Sequence, residues 1–63
     1  MWKALNEERT KFALFSETGD DIALMFEASG VFFVTVLGGE EFAFDSRARA
    51  ERFVYSELSK AGY

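Results

Sequence analysis

The sequence contains no cysteine, no histidine and no proline. Without cysteine the chain forms no disulfides, and without cysteine and histidine it lacks the usual zinc ligands. The same two absences remove the commonest general base and the strongest natural nucleophile of enzymes. Phosphate-binding loops, Gly-x-Ser-x-Gly elbows and dinucleotide-binding glycine motifs are also missing. We therefore expect a protein that is not an enzyme and that uses no metal or other cofactor.

Long apolar runs are missing as well. No stretch approaches the ~20 apolar residues that a membrane-spanning helix needs. Residues 1–9 carry several charges and lack the apolar core of a secretion signal. On these grounds the sequence predicts a cytoplasmic protein with no membrane partner.

The chain has 63 residues and a formal net charge of −4. This length predicts one small domain, 1–63, and a domain of this size buries only ~60% of the surface of its unfolded chain. Dense aromatic packing or a partner chain would therefore help stability, and 17% of the residues are aromatic. The acidic surface makes nucleic acid an unlikely partner and suits a basic protein or simply solubility. A second copy of the chain is the other expected partner, on the separate ground of an apolar sheet face.

Four apolar runs of strand length are separated by glycines, and their short links predict an antiparallel meander in chain order. The predicted strands cover about 11–17, 22–28, 31–37 and 40–45. Asp45 or Ser46 can cap a helix over 46–61, in which apolar residues recur at spacings of three and four. The predicted class is α+β: a four-stranded meander, 11–45, packed against one C-terminal helix. Residues 1–9 are expected to form a short helix with Trp2 and Leu5 on one side.

Two-residue turns at Ser29-Gly30 and Gly38-Gly39 predict which side chains share a face of the sheet. We call the side onto which Phe33 points the Phe33 face, and the opposite side the Val34 face. The Phe33 face is expected to be the core under the C-terminal helix, and it would hold Ile22, Leu24, Phe26, Val31, Phe33, Leu37, Phe42 and Phe44. The Val34 face would hold Ala23, Met25, Phe32, Val34, Val36 and Ala43. Phe12 and Leu14 fall on either face, depending on the length of the first loop.

An apolar Val34 face needs a cover, because monomers rarely leave such a patch bare. The N-terminal segment, a second copy of the chain or a different protein can each supply it. The sequence thus predicts a small acidic protein–protein interaction domain. Self-association through the Val34 face is the first version of this hypothesis. The interaction candidates are Met25, Phe32, Val34 and Val36.

Two charged groups predict alternative functions. The acidic surface candidates Asp20, Asp21, Glu40 and Glu41 suit an inhibitor that mimics nucleic acid and occupies a nucleic-acid-binding complex. A basic group near the helix start suits an anion- or nucleic-acid-binding module, unless nearby acids such as Asp45 and Glu51 pair with it. The anion-binding candidates are Arg47, Arg49 and Arg52.

The passage "FAFDSRARAERFVYSEL", 42–58, resembles a general pattern of small prokaryotic and phage proteins that place one helix on an antiparallel meander. Some phage-encoded anti-CRISPR inhibitors share this layout. The resemblance implies a fold of this type; it identifies no family and assigns no functional residue.

Overall fold

The computed structural model describes residues 2–63 and contains one antiparallel sheet followed by one helix. The sheet has five strands, one more than expected, and they lie side by side in chain order. The α+β class is confirmed. The strands are β1 Trp2–Ala4, β2 Lys11–Phe15, β3 Asp21–Ala28, β4 Val31–Val36 and β5 Glu41–Phe44, and the helix is α1 Arg47–Lys60.

The predicted N-terminal helix is wrong, because the segment forms the edge strand β1. Trp2 pairs with Leu14 and Ala4 pairs with Phe12 on β2. Asn6 fastens the turn between the two strands: its Oδ1 accepts hydrogen bonds from the backbone N–H groups of Thr10 (3.0 Å) and Lys11 (3.2 Å). A segment this short is not stable as an isolated helix, whereas pairing with β2 satisfies its backbone groups.

The β3–β4 hairpin has the predicted register. Phe26 pairs with Phe33, and Leu24 pairs with Thr35. Ser29 and Gly30 form the turn with φ of 51° and 79°. Positive φ at both central residues is the geometry that matches the twist of a two-residue hairpin.

The predicted register of the last hairpin is wrong by one residue. Phe44 pairs with Phe32 instead of Phe33, and Phe42 pairs with Val34. The turn is centred on Leu37 and Gly38, with φ of 51° and 71°, and not on the two glycines. Since side chains alternate along a strand, this slip moves both phenylalanines of β5 to the Val34 face. There their rings pack on the ring of Phe53 at centroid distances of 4.8 and 5.2 Å.

Strand β2 settles the register that the sequence left open. Phe12 pairs with Met25 and Leu14 with Ala23, so both side chains lie on the Val34 face. Beyond Leu14 the register shifts, because Phe15 pairs with Asp21 and leaves Ile22 as an extra residue of β3. A regular pairing across the five-residue loop 16–20 would turn Phe12 and Leu14 to the Phe33 face. The extra residue in β3 shifts the register by one and returns both side chains to the core.

Helix α1 covers the Val34 face, and the prediction that it covers the Phe33 face is wrong. Its buried side chains are Ala50, Val54 and Leu58. They form one core cluster with residues of β2, β3 and β4, and the partly buried Trp2 packs against that cluster from β1. Ser46 caps the helix, since its Oγ accepts a hydrogen bond from the backbone N–H of Arg49.

The sequence-predicted interaction candidates therefore lie under the helix. Met25 and Val34 have 2% and 0% of their surface exposed, and Phe32 and Val36 are partly buried against the same core. The prediction that this face is open to a partner is wrong, because the apolar stripe of α1 fills it.

Within residues 2–63, no helix has both the length and the apolar character that crossing a membrane requires.

Candidate protein interaction surface

Within residues 2–63, no helix packs on the Phe33 face. Cross-strand pairing arranges the side chains of this face in two rows. One row runs across all five strands through Lys3, Ala13, Leu24, Thr35 and Glu41. The second row runs from β2 to β5 through Lys11, Phe26, Phe33 and Ala43. Neighbours in a row point to the same side of the sheet, so both rows together form one continuous surface.

The centre of this surface is apolar and exposed. Leu24 is 43% exposed, Phe26 40% and Leu37 45%, and Leu5 from the β1–β2 turn adds a further exposed leucine. Leu5, Leu24 and Phe26, together with Phe33, border a shallow depression of about 230 Å³. The largest apolar patch on the surface of a monomeric protein is often a functional one.

Two aromatic rings form the middle of the patch. The rings of Phe26 and Phe33 stack across β3 and β4, with centroids 6.2 Å apart and an angle of 30° between the planes. Phe26 is exposed and Phe33 is half-buried. Aromatic side chains are frequent anchors of protein interfaces, since they bury a large area.

Charged side chains lie at the two lateral edges of the patch and differ in sign. Lys3 and Lys11 are exposed on β1 and β2, and the Lys11 Nζ lies 5.8 Å from the centroid of the Phe26 ring. Glu41 is exposed on β5 at the opposite edge and borders the same depression. The surface is thus basic on one side, apolar in the centre and acidic on the other side.

Sequence reasoning missed this surface because it placed its central residues in the core. Leu24, Phe26, Phe33 and Leu37 were correctly grouped on one face, but that face was predicted to lie under the helix. Lys3 and Lys11 were not singled out. The available signal was the alternation of β2: Lys11 and Ala13 place a charged and a very small residue on the Phe33 face, whereas Phe12 and Leu14 point to the core.

The three arginines near the helix start do not form one cluster with free charges. Arg47 Nε lies 3.6 Å from Glu51 Oε2, and its guanidinium stacks 4.5 Å from the centroid of the Phe12 ring. Arg49 Nη1 lies 3.5 Å from Asp45 Oδ1. Arg52 is exposed on the helix. Pairing with nearby acids and an aromatic ring accounts for Arg47 and Arg49 without an anion.

Both predicted acidic pairs lie at one end of the sheet. Asp20 and Asp21 end the β2–β3 loop and begin β3, while Glu40 and Glu41 end the β4–β5 loop and begin β5. In an antiparallel meander alternate loops fall at the same end, so the topology brings these two loops to one side of the molecule. Among the described residues, no group of three or more acids could hold a metal ion.

The chain matches no protein-family model, no curated protein and no solved structure.

Proposed function

We propose that this chain is a non-catalytic protein interaction domain that self-associates through the Phe33 face of its sheet. The observation that carries the proposal is the group of exposed apolar side chains on the side of the sheet opposite the helix: Leu24 and Phe26 on β3, and Leu37 in the turn after β4. Packing a second copy there would complete the second layer that a sheet with two apolar faces requires.

The size of the face sets the expected strength of the association. Five strands at ~4.8 Å spacing and the short strand lengths give a footprint of about 400 Å² per copy. Stable interfaces bury ~800 Å² per partner, and smaller ones belong to transient complexes. We therefore expect a dimer that forms toward millimolar concentration and dissociates on dilution.

The test is the solution mass by sedimentation equilibrium from micromolar to millimolar protein. We expect the mass to rise from 7.1 kDa toward twice that value for the wild type. The double variant Leu24→Thr/Phe26→Thr should stay monomeric, because threonine keeps the strand propensity and removes the apolar contact. Tyr63→Thr is the matched control, since it removes an aromatic side chain that is 65% exposed and lies outside the sheet.

Two results would overturn self-association. One is a wild-type mass that stays at the monomer value throughout the range. The other is saturable binding of an oligothymidylate to the Phe33 face at micromolar protein, followed by the amide signals of β3 and β4, together with a rise in mass that the double variant leaves unchanged. Stacked phenylalanines beside lysines also suit single-stranded nucleic acid. The net charge of −4 and the leucines of the patch favour protein over nucleic acid.

The acidic end of the sheet supports a second proposal, an inhibitor that occupies the nucleic-acid site of a basic protein complex. The supporting observation is that Asp20, Asp21, Glu40 and Glu41 are all exposed and belong to two loops at the same end. Binding to a basic nucleic-acid-binding protein should then be salt-sensitive and compete with nucleic acid. A variant with these four carboxylates changed to amides should lose that competition, and retention of full competition would remove the proposal.

A further inference from the structure

The charges on the Phe33 face are separated by the width of the sheet. Lys3 lies on the edge strand β1 and Glu41 on the edge strand β5, and both belong to the same cross-strand row. Both side chains are exposed, and no ion pair within residues 2–63 involves either of them. A surface with this polarity is complementary to itself when the strand order of the second copy is reversed.

We infer that two copies pack face to face about a two-fold axis that lies between the two sheets and is parallel to β3. Lys3 of each copy is then opposite Glu41 of the other. This inference rests on the proposed function. Rotation about an axis parallel to the strands reverses the strand order, so β1 of one copy lies over β5 of the other. The apolar centres meet, with β3 on β3, and both ends of the row pair opposite charges in an isologous contact.

A second face-to-face arrangement also keeps the strands of the two copies aligned, but the same charges disfavour it. An axis perpendicular to the strands would place β1 on β1 and β5 on β5. Lys3 would then face Lys3, and Glu41 would face Glu41. Like charges that face each other across an interface oppose association, so they disfavour this arrangement relative to the one with opposite charges. The axis along β3 also keeps the strands of the two sheets aligned within ~30°, as in stacked sheets generally.

Charge reversal at each end of the row tests the arrangement by sedimentation equilibrium. Lys3→Glu and Glu41→Lys should each weaken the dimer about fivefold or more, since each creates two like-charge contacts. The two changes move the net charge of −4 in opposite directions. A general effect of net charge would therefore weaken one variant and strengthen the other, whereas the proposed pairing weakens both.

The double variant Lys3→Glu/Glu41→Lys is expected to regain wild-type association, because it restores opposite charges at both ends of the row. Arg52→Glu and Glu57→Lys are the matched controls, since they make the same changes of charge on the helix side of the sheet. A dimer that is unaffected by both single changes, or that the double variant fails to restore, would overturn this arrangement and leave self-association standing. Absence of any wild-type dimer would remove the proposed function itself.

Discussion

At the scale of single residues, Leu24 and Met25 are neighbours on β3 with opposite surroundings. Met25 is 2% exposed and packs beneath α1 with Val34 and Val54, whereas Leu24 is 43% exposed on the Phe33 face. Because successive side chains of a strand point to opposite faces, this pair reports directly which side of the sheet is the core.

We predict that Met25→Ala lowers the free energy of unfolding by about 2–5 kcal/mol, the range for truncating a large side chain in a packed core. Leu24→Ala should cost about 1 kcal/mol or less in the monomer. Urea unfolding at dilute protein concentration, followed by the fluorescence of Trp2, measures both. A cost of Leu24→Ala equal to or above that of Met25→Ala would mean that the faces are assigned the wrong way round.

At the scale of elements, local turn chemistry decided what the sequence could predict. Between the apolar runs of β3 and β4, Ser29-Gly30 is the one pair of residues that suits a tight turn. The register of these two strands therefore followed from the sequence. Helix α1 was equally predictable, since the cap at Ser46 and the spacing of Ala50, Val54 and Leu58 agree with one another.

The last hairpin was not predictable in the same way, because its register depends on a tertiary contact. The two glycines at 38–39 are the better local turn, and Leu37 is an unfavourable residue for positive φ. The observed register accepts that local cost of roughly 1–2 kcal/mol. In return it places Phe42 and Phe44 against Phe53 of the helix, a contact that no local pattern contains. The error on β5 then led to the wrong choice of the core face.

The turn of the β3–β4 hairpin yields a prediction at this scale. Ser29 adopts φ of 51° ahead of Gly30 and is exposed. Asparagine tolerates this conformation better than serine, and Asn-Gly is the preferred pair of such turns. We expect Ser29→Asn to raise the free energy of unfolding by about 0.5 kcal/mol, measured by urea unfolding. Ser29→Val should lower it, and equal stability of the two variants would contradict the turn geometry.

At the scale of the whole molecule, the sheet has apolar side chains on both faces, and residues 2–63 supply one helix, which covers one of them. The sequence indicated that the face without the helix would need a further cover, from the N-terminal segment or a partner, since "VFFVTV" at 31–36 has apolar residues on both sides. Only the shared face of Leu24, Phe26 and Phe33 was predictable. The candidate site itself was not, because the face that the helix covers was assigned wrongly and the charged residues at its edges carry no local signal of binding. Leu24, Phe26 and Phe33 are thus proposed to bind a partner, whereas Met25, Phe32 and Val34 stabilise the fold.

The most direct test of this account is an isotope-filtered nuclear Overhauser experiment on a millimolar mixture of labelled and unlabelled chains. Such an experiment detects only contacts between different copies. We predict intermolecular contacts from the side chains of Leu24, Phe26 and Phe33, and none from the buried Met25 and Val34. Intermolecular contacts confined to the backbone amides of the edge strands, or no intermolecular contact at all, would contradict the claim that the Phe33 face is a self-association surface.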